Sequence, residues 1–377
     1  MKKFIKIFYW SPSLVNIATN DAVINSAYSM SRYGDIYDTY ILNFFGEFER
    51  FRKNISGKNI KMIDYFNKSI FNILPKHGKI QSRISFIIIF IMSFLPLKKI
   101  LNKNKPDYLI IHLITSLPLI LLVLFNFKTK FILRISGYPK MNFLRKFLWR
   151  TAFKKIYLIT CPTNNTLNYI KSLNLVDDSK LKLLYDPIIN IKEINKKIDE
   201  KIDTKDYFLS VGRLTKQKNF MFLCKAFKEL IKKDNKIKLI IIGSGEEEGR
   251  LKRFIKTNDL GQNIILTGYI KNIYPYFKKS KGFICTSLWE DPGFVLIEAS
   301  YCRTPVLSSN AWPGPVELVK NNYNGIIFEN NDLNDFLIKF DEFKNYNNFQ
   351  YLKLNNLKLS KKFTLFSHYK ILNQLIQ

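Results

Sequence analysis

Short, wholly apolar runs alternate with longer segments of helical periodicity along most of the chain. A run that is apolar at every position predicts a strand buried on both faces, as in a parallel sheet. Regular alternation of such strands with helices predicts a doubly wound α/β fold. The strands expected from this pattern are Phe4–Tyr9, Thr39–Phe44, Tyr108–His112, Lys130–Ile135, Leu158–Cys161 and Leu181–Leu184, followed by Phe208–Val211, Leu239–Ile242, Ile264–Leu266, Phe283–Cys285, Val306–Leu307 and Gly325–Phe328.

One charged segment of low complexity interrupts the alternation. Residues 189–205 repeat Lys, Ile, Glu and Asp, which predicts an interdomain linker or a surface loop. The chain has 377 residues, enough for two domains with separate cores. We therefore expect one domain over residues 1–188 and a second over residues 206–359. The helices expected in the first domain are Asp21–Tyr33, Ser85–Leu101, Ser116–Phe125, Phe143–Phe153 and Thr163–Leu173.

The formal net charge of +30 has three interpretations. A compositional bias towards Lys, Asn and Ile explains part of it. A nucleic-acid-binding protein carries its charge on a recognisable module, and because the sequence shows none, we expect no nucleic-acid partner. A broad positive face would instead attract an anionic membrane surface. We favour bias together with membrane attraction, which predicts a cytoplasmic protein held peripherally on the inner face of the cell membrane.

The most apolar stretch, Phe86–Leu97, lies between Arg83 and the pair Lys98–Lys99. It is shorter than the roughly 20 residues that a membrane-spanning helix needs. Two interpretations stay open: a helix buried in the core, or a helix whose apolar face dips into the inner leaflet. The N-terminal apolar run is interrupted by Lys6, so we expect no secretory signal.

Cysteine and histidine are scarce and scattered. Each of the four cysteines stands alone in an apolar run, which predicts reduced core residues in a cytosolic protein. The chain has only three histidines and no convincing Asp-x-Asp site, because Asp199 and Asp203 fall in the charged segment. We therefore expect neither a metal nor any other cofactor.

Two glutamates, Glu290 and Glu298, follow the predicted strand Phe283–Cys285. Pro292 between them suits the first turn of a helix, so a helix start would lie at the C-terminal end of a parallel strand. Free backbone N–H groups at such a helix start can hold a phosphate. Two carboxylates at different depths around it suit a diphosphate with hydroxyls on both sides, as in a nucleotide sugar. The residues expected at this helix start are Gly293, Phe294 and Val295.

A second segment, Val211–Lys218, follows another predicted strand and carries Arg213 and Lys218. A departing diphosphate needs positive charge, for which arginine offers a planar fork and lysine a mobile point charge. The chain contains 60 Lys and Arg, so a single pair is weak evidence by itself. Its position between a strand and the helical pattern Phe220–Ile231 strengthens the prediction.

These segments resemble the retaining GT-B glycosyltransferases of family 4, which carry a Glu-x7-Glu pattern in this context. The resemblance is dense from about residue 205 to 330 and weaker in the N-terminal half. It implies two Rossmann-like domains facing a cleft, with the donor in the C-terminal domain, the acceptor in the N-terminal one, and the last helix, about 360–377, packing back on the latter. The other matching segments are Ile240–Gly249, Asn310–Glu317 and Asn324–Phe328.

The resemblance also implies roles for individual residues. Glu298 would hold the ribose hydroxyls, Glu290 would face the donor sugar, and Arg213 and Lys218 would hold the diphosphate. Transfer would take place on the front face of the sugar, with the leaving diphosphate oxygen helping to deprotonate the acceptor. The enzyme would then contribute mainly positioning and charge stabilisation, with Glu290 holding sugar hydroxyls and not acting as a nucleophile.

Three further positions are weighed against simpler interpretations. Tyr269, in Gly268–Ile270, would meet the nucleobase as in the family, and a plain turn is the alternative. His112 ends a predicted strand, where open α/β sheets bind ligands, and the resemblance gives it a supporting catalytic role. A lone histidine there is otherwise a hydrogen-bonded rim residue. Arg134–Gly137 ends the next strand and would line the acceptor cleft.

Two features depart from simple motif matching. Gly243–Gly249 begins like a dinucleotide-binding loop, but Glu248 replaces the third glycine and three carboxylates would repel a pyrophosphate. We therefore expect a structural turn with acidic helix capping. Many family members have a Gly-Gly loop after the first strand, whereas this chain has Trp10–Asn20. Contacts from that loop to phosphate and acceptor stay open, with Ser11 or Asn16 as candidates.

The function expected is hexosyl or N-acetylhexosaminyl transfer from a UDP- or GDP-linked sugar to a saccharide, most naturally a lipid-linked oligosaccharide in surface-polysaccharide assembly. One rival is a sugar-nucleotide 2-epimerase on the same fold, against which the shortage of histidine weighs because epimerisation needs acid and base groups. A non-enzymatic basic membrane-surface binder is the other. The intact set of two glutamates, Arg213 and Lys218 argues against it.

Overall fold

The computed structural model describes residues 4–14, 18–66, 74–75 and 79–377, and in residues 79–82 it describes the backbone alone. Asn16 of the expected phosphate loop lies outside the described residues. The strands are β1 Ile5–Trp10, β2 Tyr37–Asn43, β3 Lys61–Asp64, β4 Tyr108–Ile111, β5 Lys130–Arg134, β6 Leu158–Cys161, β7 Leu181–Leu183, β8 Phe208–Val211, β9 Leu239–Ile242, β10 Ile264–Gly268, β11 Gly282–Cys285, β12 Trp289–Glu290, β13 Val306–Ser309, β14 Trp312–Pro313 and β15 Gly325–Phe328.

The helices lie between these strands and after them. They are α1 Ala18–Tyr33, α2 Arg52–Ser56, α3 Lys79–Asn104, α4 Ser116–Leu124, α5 Phe143–Lys155, α6 Asn164–Ser172, α7 Ile191–Lys197, α8 Phe220–Lys233, α9 Glu248–Thr257, α10 Tyr274–Lys279, α11 Phe294–Tyr301, α12 Pro315–Leu318, α13 Leu333–Lys344, α14 Phe349–Ser360 and α15 Leu365–Ile376. The chain divides into two compact units, Met1–Ile188 with Leu365–Gln377, and Ile189–Thr364.

The first unit is built on a parallel sheet in which the described residues form seven strands, in the order β3-β2-β1-β4-β5-β6-β7. Successive residues of β1 point to opposite faces, so Phe8 and Trp10 join one apolar core while Ile7 and Tyr9 join another. Helices α3 to α6 cover the first core. Helices α1 and α15 cover the second, where the Tyr37 hydroxyl donates to Asn373 Oδ1 at 2.5 Å.

The second unit is built on a parallel sheet in which the described residues form six strands, in the order β10-β9-β8-β11-β13-β15. A pair of two-residue strands, β12 and β14, stands apart from it. Strands β8, β9, β11 and β13 are buried throughout, as their wholly apolar or small-residue sequences predict. Two doubly wound parallel sheets are therefore present, and the predicted fold class is confirmed.

The segment expected as a linker or surface loop contains helix α7. Asn190 begins this helix, and its side-chain oxygen accepts a hydrogen bond from the Glu193 N–H at 3.4 Å. Ile194 is buried, and the Lys197 carbonyl accepts a hydrogen bond from Asn272 Nδ2 at 2.9 Å. Asn190 therefore caps the helix start and Ile194 is its buried apolar residue, whereas Ile191 is 48% exposed.

Helix α3 is longer than the apolar stretch that predicted it. Its part Arg83–Asn104, of 22 residues, is long and apolar enough by length and composition to cross a membrane, so the judgement that it is too short is wrong. The error arises because the helix continues through Lys98–Lys99 to Asn104. One face packs on the core through Ile89, Leu97 and Leu101, while the opposite face is exposed.

Candidate functional site

The order of strands in the second unit creates a divergence at its centre. From β8 the chain moves outwards through β9 to β10, and it then returns to the other side of β8 at β11 and continues to β13 and β15. The loops that follow β8 and β11 therefore begin side by side at the carboxyl ends of adjacent strands, and the chain then continues from them to opposite ends of the sheet. In open α/β sheets this switch point is where ligands bind.

The loop after β8 carries both predicted cations. Arg213 is exposed, and its guanidinium has no hydrogen-bond or ion-pair partner within the described residues. Lys218 is partly buried and forms an ion pair with Glu290. The backbone on either side of Arg213 is held by two hydrogen bonds to the end of β9 and the turn after it, from Gly212 N to Ile242 O at 3.0 Å and from Leu214 N to Ser244 O at 2.9 Å.

The loop after β11 buries Glu290, which keeps only 8% of its surface exposed. Its Oε1 atom accepts a hydrogen bond from Ser287 Oγ at 2.8 Å and also contacts Lys218 Nζ. A buried carboxylate is tolerated when a cation and a hydrogen-bond donor compensate its charge. Oε2 accepts no hydrogen bond from any residue that the structure describes, so one oxygen of this carboxylate is left for a ligand.

Hydrogen bonds to the backbone join the two loops. Leu288 N donates to Gln217 O at 2.8 Å, and Gln217 Nε2 donates to Trp289 O at 2.8 Å. The Glu290 carbonyl accepts from Gly314 N at 2.9 Å, where a Cβ on Gly314 would lie 1.9 Å from the Pro292 carbonyl oxygen. The position of Glu290 is thus set by backbone contacts on both sides. The sequence did not predict this role for Gln217 and Gly314.

Helix α11 begins at Phe294, after Gly293 in a left-handed conformation with φ of 101°. Pro292 therefore precedes the helix instead of lying in its first turn, because Gly293 turns the chain between them. The N–H groups of Phe294 and Val295 donate to no acceptor in the described part of the chain, whereas Leu296 and Ile297 donate to Gly293 O. Two open N–H groups at a helix start suit an anion.

Glu298 lies one turn into α11 and is partly buried. The Tyr274 hydroxyl, at the start of α10, donates to Glu298 Oε1 at 3.4 Å. The sequence did not predict this role for Tyr274, and the only signal for it was its position shortly after the Gly268–Ile270 turn. Tyr269 is 70% exposed and follows β10, two strands from β8 and so about 10 Å across the sheet.

The Gly243–Gly249 turn supports the Arg213 loop. A Cβ on Gly243, whose φ is 149°, would lie 1.9 Å from the Gly212 carbonyl oxygen, and one on Gly245 would lie 2.5 Å from the Leu214 carbonyl oxygen. Glu247 begins α9 without a side-chain capping hydrogen bond, and its carboxylate instead pairs with Arg250. These glycines are therefore needed for close backbone approach beside Arg213.

We expect Gly243→Ala to lower the free energy of unfolding of the second unit by about 2–4 kcal/mol, since it adds both a steric clash and an unfavourable φ. Gly249→Ala is the matched control, because nothing lies within 4 Å of its added Cβ. It should raise stability by up to about 1 kcal/mol. Urea denaturation measures the free energy of unfolding of both variants. Equal values would show that the loop at Gly212 moves aside to make room for the added Cβ.

His112 lies in the first unit at the end of β4, where its N–H donates to Trp10 O at 2.9 Å. Its ring is buried, and neither ring nitrogen has a hydrogen-bond partner among the described residues. Burial, together with the nearby Arg134 and His368, lowers the pKa of His112 well below its usual value. The imidazole is therefore neutral at physiological pH, with one ring nitrogen able to donate a hydrogen bond and the other able to accept one.

Arg134 differs from the expected cleft residue. It is buried and forms a two-pronged ion pair with Asp186, in which Nε donates to Oδ1 at 2.8 Å. His368 lies beside this pair, and burial lowers the pKa of its ring to about 4. Ser26 Oγ and His368 Nε2 share a hydrogen bond of 2.8 Å. Arg134 therefore belongs to a buried polar cluster in the first unit.

All four cysteines are buried and none of them forms a disulfide, as predicted. Burial raises the pKa of the Cys224 thiol to about 12, so this group is an inert core residue at physiological pH. Among the residues that the structure describes, no group of three His, Cys, Asp or Glu side chains could hold a metal ion.

Comparison with known proteins relates part of the chain to a described family. Residues 191–354 match the model of the family described as glycosyl transferases group 1. An uncharacterized glycosyltransferase of Methanocaldococcus jannaschii is 31% identical over 246 residues, which are 59% of this chain and 60% of that protein. A second relative is a 4-alpha-N-acetylgalactosaminyltransferase of Campylobacter jejuni, which is named for a diphospho-undecaprenol acceptor. It is 29% identical over 235 residues, which are 60% of this chain and 61% of that protein.

These matches span about 60% of the length of each of the two relatives. A structural comparison covers more of the chain. The crystal structure of Anabaena HepE in complex with UDP and glucose has a TM-score of 0.71 at 15% identity and covers 98% of both chains. This likeness shows the shared fold. Residues 191–354 therefore resemble the glycosyl transferases group 1 family, in a chain with the GT-B fold, and the resemblance to GT-B glycosyltransferases predicted from the sequence is confirmed.

Proposed function

We propose that this chain transfers a sugar from a UDP-linked donor to a saccharide acceptor with retention of configuration at the anomeric carbon. The observation that carries this proposal is the meeting of two loops at the switch point of the second sheet. Lys218 and Glu290 pair there, Arg213 has no protein partner, and the start of α11 offers open N–H groups. Cations and open N–H groups are what a diphosphate requires.

The diphosphate would be held between Arg213, Lys218 and the N–H groups of Phe294 and Val295. Negative charge develops on the leaving oxygen as the bond to the sugar breaks, and fixed positive groups stabilise it without reorganising. We propose that these groups neutralise the diphosphate without a metal. Arg213 is suited to the task because no carboxylate of the described chain competes for its guanidinium.

The two glutamates would bind hydroxyls at different parts of the donor. Glu290 Oε2, left open beside Lys218, would accept hydrogen bonds from hydroxyls of the sugar. Glu298 would accept those of the ribose, with Tyr274 orienting its carboxylate. Glu290 is already compensated by Lys218 and Ser287, which makes it a poor nucleophile and favours front-face transfer. We propose that Tyr269 contacts the nucleobase. His112, whose ring is neutral, would support the reaction as a hydrogen-bonding residue.

The acceptor proposed is a saccharide carried on a lipid diphosphate, with the chain peripheral at the cytoplasmic face of the membrane. The Campylobacter jejuni relative is named for such an acceptor and for an alpha product. The HepE structure, which shares the fold, holds UDP and glucose. These names support a UDP-linked hexose or N-acetylhexosamine as the donor. Retention of an α-linked donor gives an α product, which agrees with the name of the relative.

The proposal is tested by offering UDP-glucose, UDP-galactose, UDP-N-acetylglucosamine and UDP-N-acetylgalactosamine with synthetic polyprenyl-diphosphate saccharides. We expect one donor to be consumed in chelator-treated buffer, and NMR of the product to show an α linkage. Turnover of the donor without an acceptor, to a sugar epimerised at C2, would establish the epimerase instead. A β product would contradict retention.

A further inference from the structure

Acidic residues are almost absent from one long part of the first unit. Residues 65–176 contain a single one, Asp107, against 18 lysines and arginines, which leaves 42 of the 60 basic and 29 of the 30 acidic residues for the rest of the chain. A compositional bias acting evenly would not empty one segment of carboxylates. The positive charge of the chain is therefore concentrated on the elements that this segment forms.

Helix α3, within this segment, carries an exposed apolar stripe. Ile84, Ile87, Ile91 and Leu95 are 47%, 58%, 67% and 69% exposed. Their spacing of three and four residues places them on a single face of the helix. The opposite face of the helix packs on the core, so folding of the unit does not require large apolar side chains at these four positions.

Helix α5 adds a second group of exposed apolar residues at its start. Phe143, Leu144 and Phe147 are 82%, 75% and 67% exposed. Asn142 fixes the helix start, because its side chain accepts a hydrogen bond from the Arg145 N–H at 2.8 Å. Exposed basic residues lie next to them in the helix: Arg145 and Lys146 between Leu144 and Phe147, and Arg150 three residues after Phe147.

The topology brings the two groups to one side of the unit. Helices α3, α4 and α5 pack on the same apolar core, with α4 in contact with both of the others. Each connects two parallel strands and so runs back along the sheet, which places all three helix starts at the edge where the strands end. The exposed residues Ile84, Ile87, Ile91, Leu95, Phe143, Leu144 and Phe147 are called the helical platform below.

We propose that the helical platform seats on an anionic lipid bilayer and holds the chain at the membrane. Large aromatic and aliphatic side chains among lysines and arginines are suited to the boundary between headgroups and acyl chains. The surrounding segment has a single carboxylate, Asp107, so repulsion from anionic headgroups is small. A second copy of the chain would bring the same positive charge against the platform, which disfavours self-association.

This inference names the contact surface for the peripheral location proposed above and does not depend on the donor site. The test is co-sedimentation of the full chain with vesicles of phosphatidylcholine and phosphatidylglycerol, and with phosphatidylcholine alone. The triple variant F143S/L144S/F147S should bind the mixed vesicles at least about tenfold more weakly, since each side chain loses its burial in lipid. The matched control I191S/I338S/L354S removes exposed apolar residues of the second unit and should bind like the wild type.

The charge contribution is tested separately. R145Q/K146Q/R150Q should weaken binding and flatten its dependence on salt, whereas K225Q/R253Q/K256Q, on α8 and α9, should leave both unchanged. Thermal unfolding reports whether each variant is folded, and UDP-induced stabilisation reports the donor site independently. The proposal is overturned if F143S/L144S/F147S binds vesicles as tightly as the wild type. It is equally overturned if folded wild type does not bind the mixed vesicles, whether or not it forms a dimer that this variant disrupts.

Discussion

Arg213→Ala is expected to slow sugar transfer by about 10²–10³-fold, while the stability of the chain stays within about 0.5 kcal/mol of wild type. The rate falls because the leaving diphosphate loses a planar donor that forms charge-assisted hydrogen bonds. Stability is unaffected because the Arg213 guanidinium is exposed and has no partner within the described residues. Initial rates and urea denaturation measure the two effects.

Two variants of the same loop serve as controls for Arg213. Arg213→Lys keeps the charge but loses the fork, so an intermediate rate is expected. Lys216→Ala removes an exposed cation three residues away and should transfer sugar at close to the wild-type rate. If Arg213→Ala and Lys216→Ala lose activity equally, general positive charge and not a specific diphosphate contact governs the reaction.

Asp186→Ala is expected to destabilise the first unit by about 3–5 kcal/mol. It leaves the Arg134 guanidinium buried without its carboxylate, and both side chains are more than nine-tenths buried in the native pair. Urea denaturation measures the loss. Lys171→Ala is the control, since its ion pair with Asp178 is 56% exposed on both sides and should contribute less than about 1 kcal/mol.

A double replacement separates the charge of this pair from its packing. Arg134→Met with Asp186→Leu removes both buried charges and should recover most of the stability lost by Asp186→Ala. A double variant as unstable as the single one would mean that hydrogen bonds around the cluster, such as that between Ser26 and His368, matter more than the unpaired charge.

The strands were predictable wherever they are buried on both faces. Strand β3, Lys61–Asp64, was missed because it is short, lies at the sheet edge and has a charged residue at each end. Helix α7 was missed because its two isoleucines stand among lysines, asparagine and glutamate, which hides the apolar periodicity. The fold class needed only the alternation of elements, which survives both omissions.

The sequence predicts which loops carry the residues of the candidate site, but it does not predict which of these residues contact each other. Arg213 and Glu290 each follow an apolar run, which places them at strand ends without any structure. The pairing of Lys218 with Glu290 depends on β8 lying beside β11, and strand order is not encoded in local sequence. The Arg134–Asp186 pair, 52 residues apart in sequence, and the exposed face of α5 likewise depend on three-dimensional neighbours.

Calorimetric titration of UDP into wild type, Arg213→Ala and Glu298→Ala tests most directly whether the switch point of the second sheet is the donor site. We predict that the wild type binds UDP and that each variant binds it at least about tenfold more weakly, because one loses a diphosphate contact and the other a ribose contact. UDP binding of equal strength in all three proteins, or none in folded wild type, would contradict the assignment.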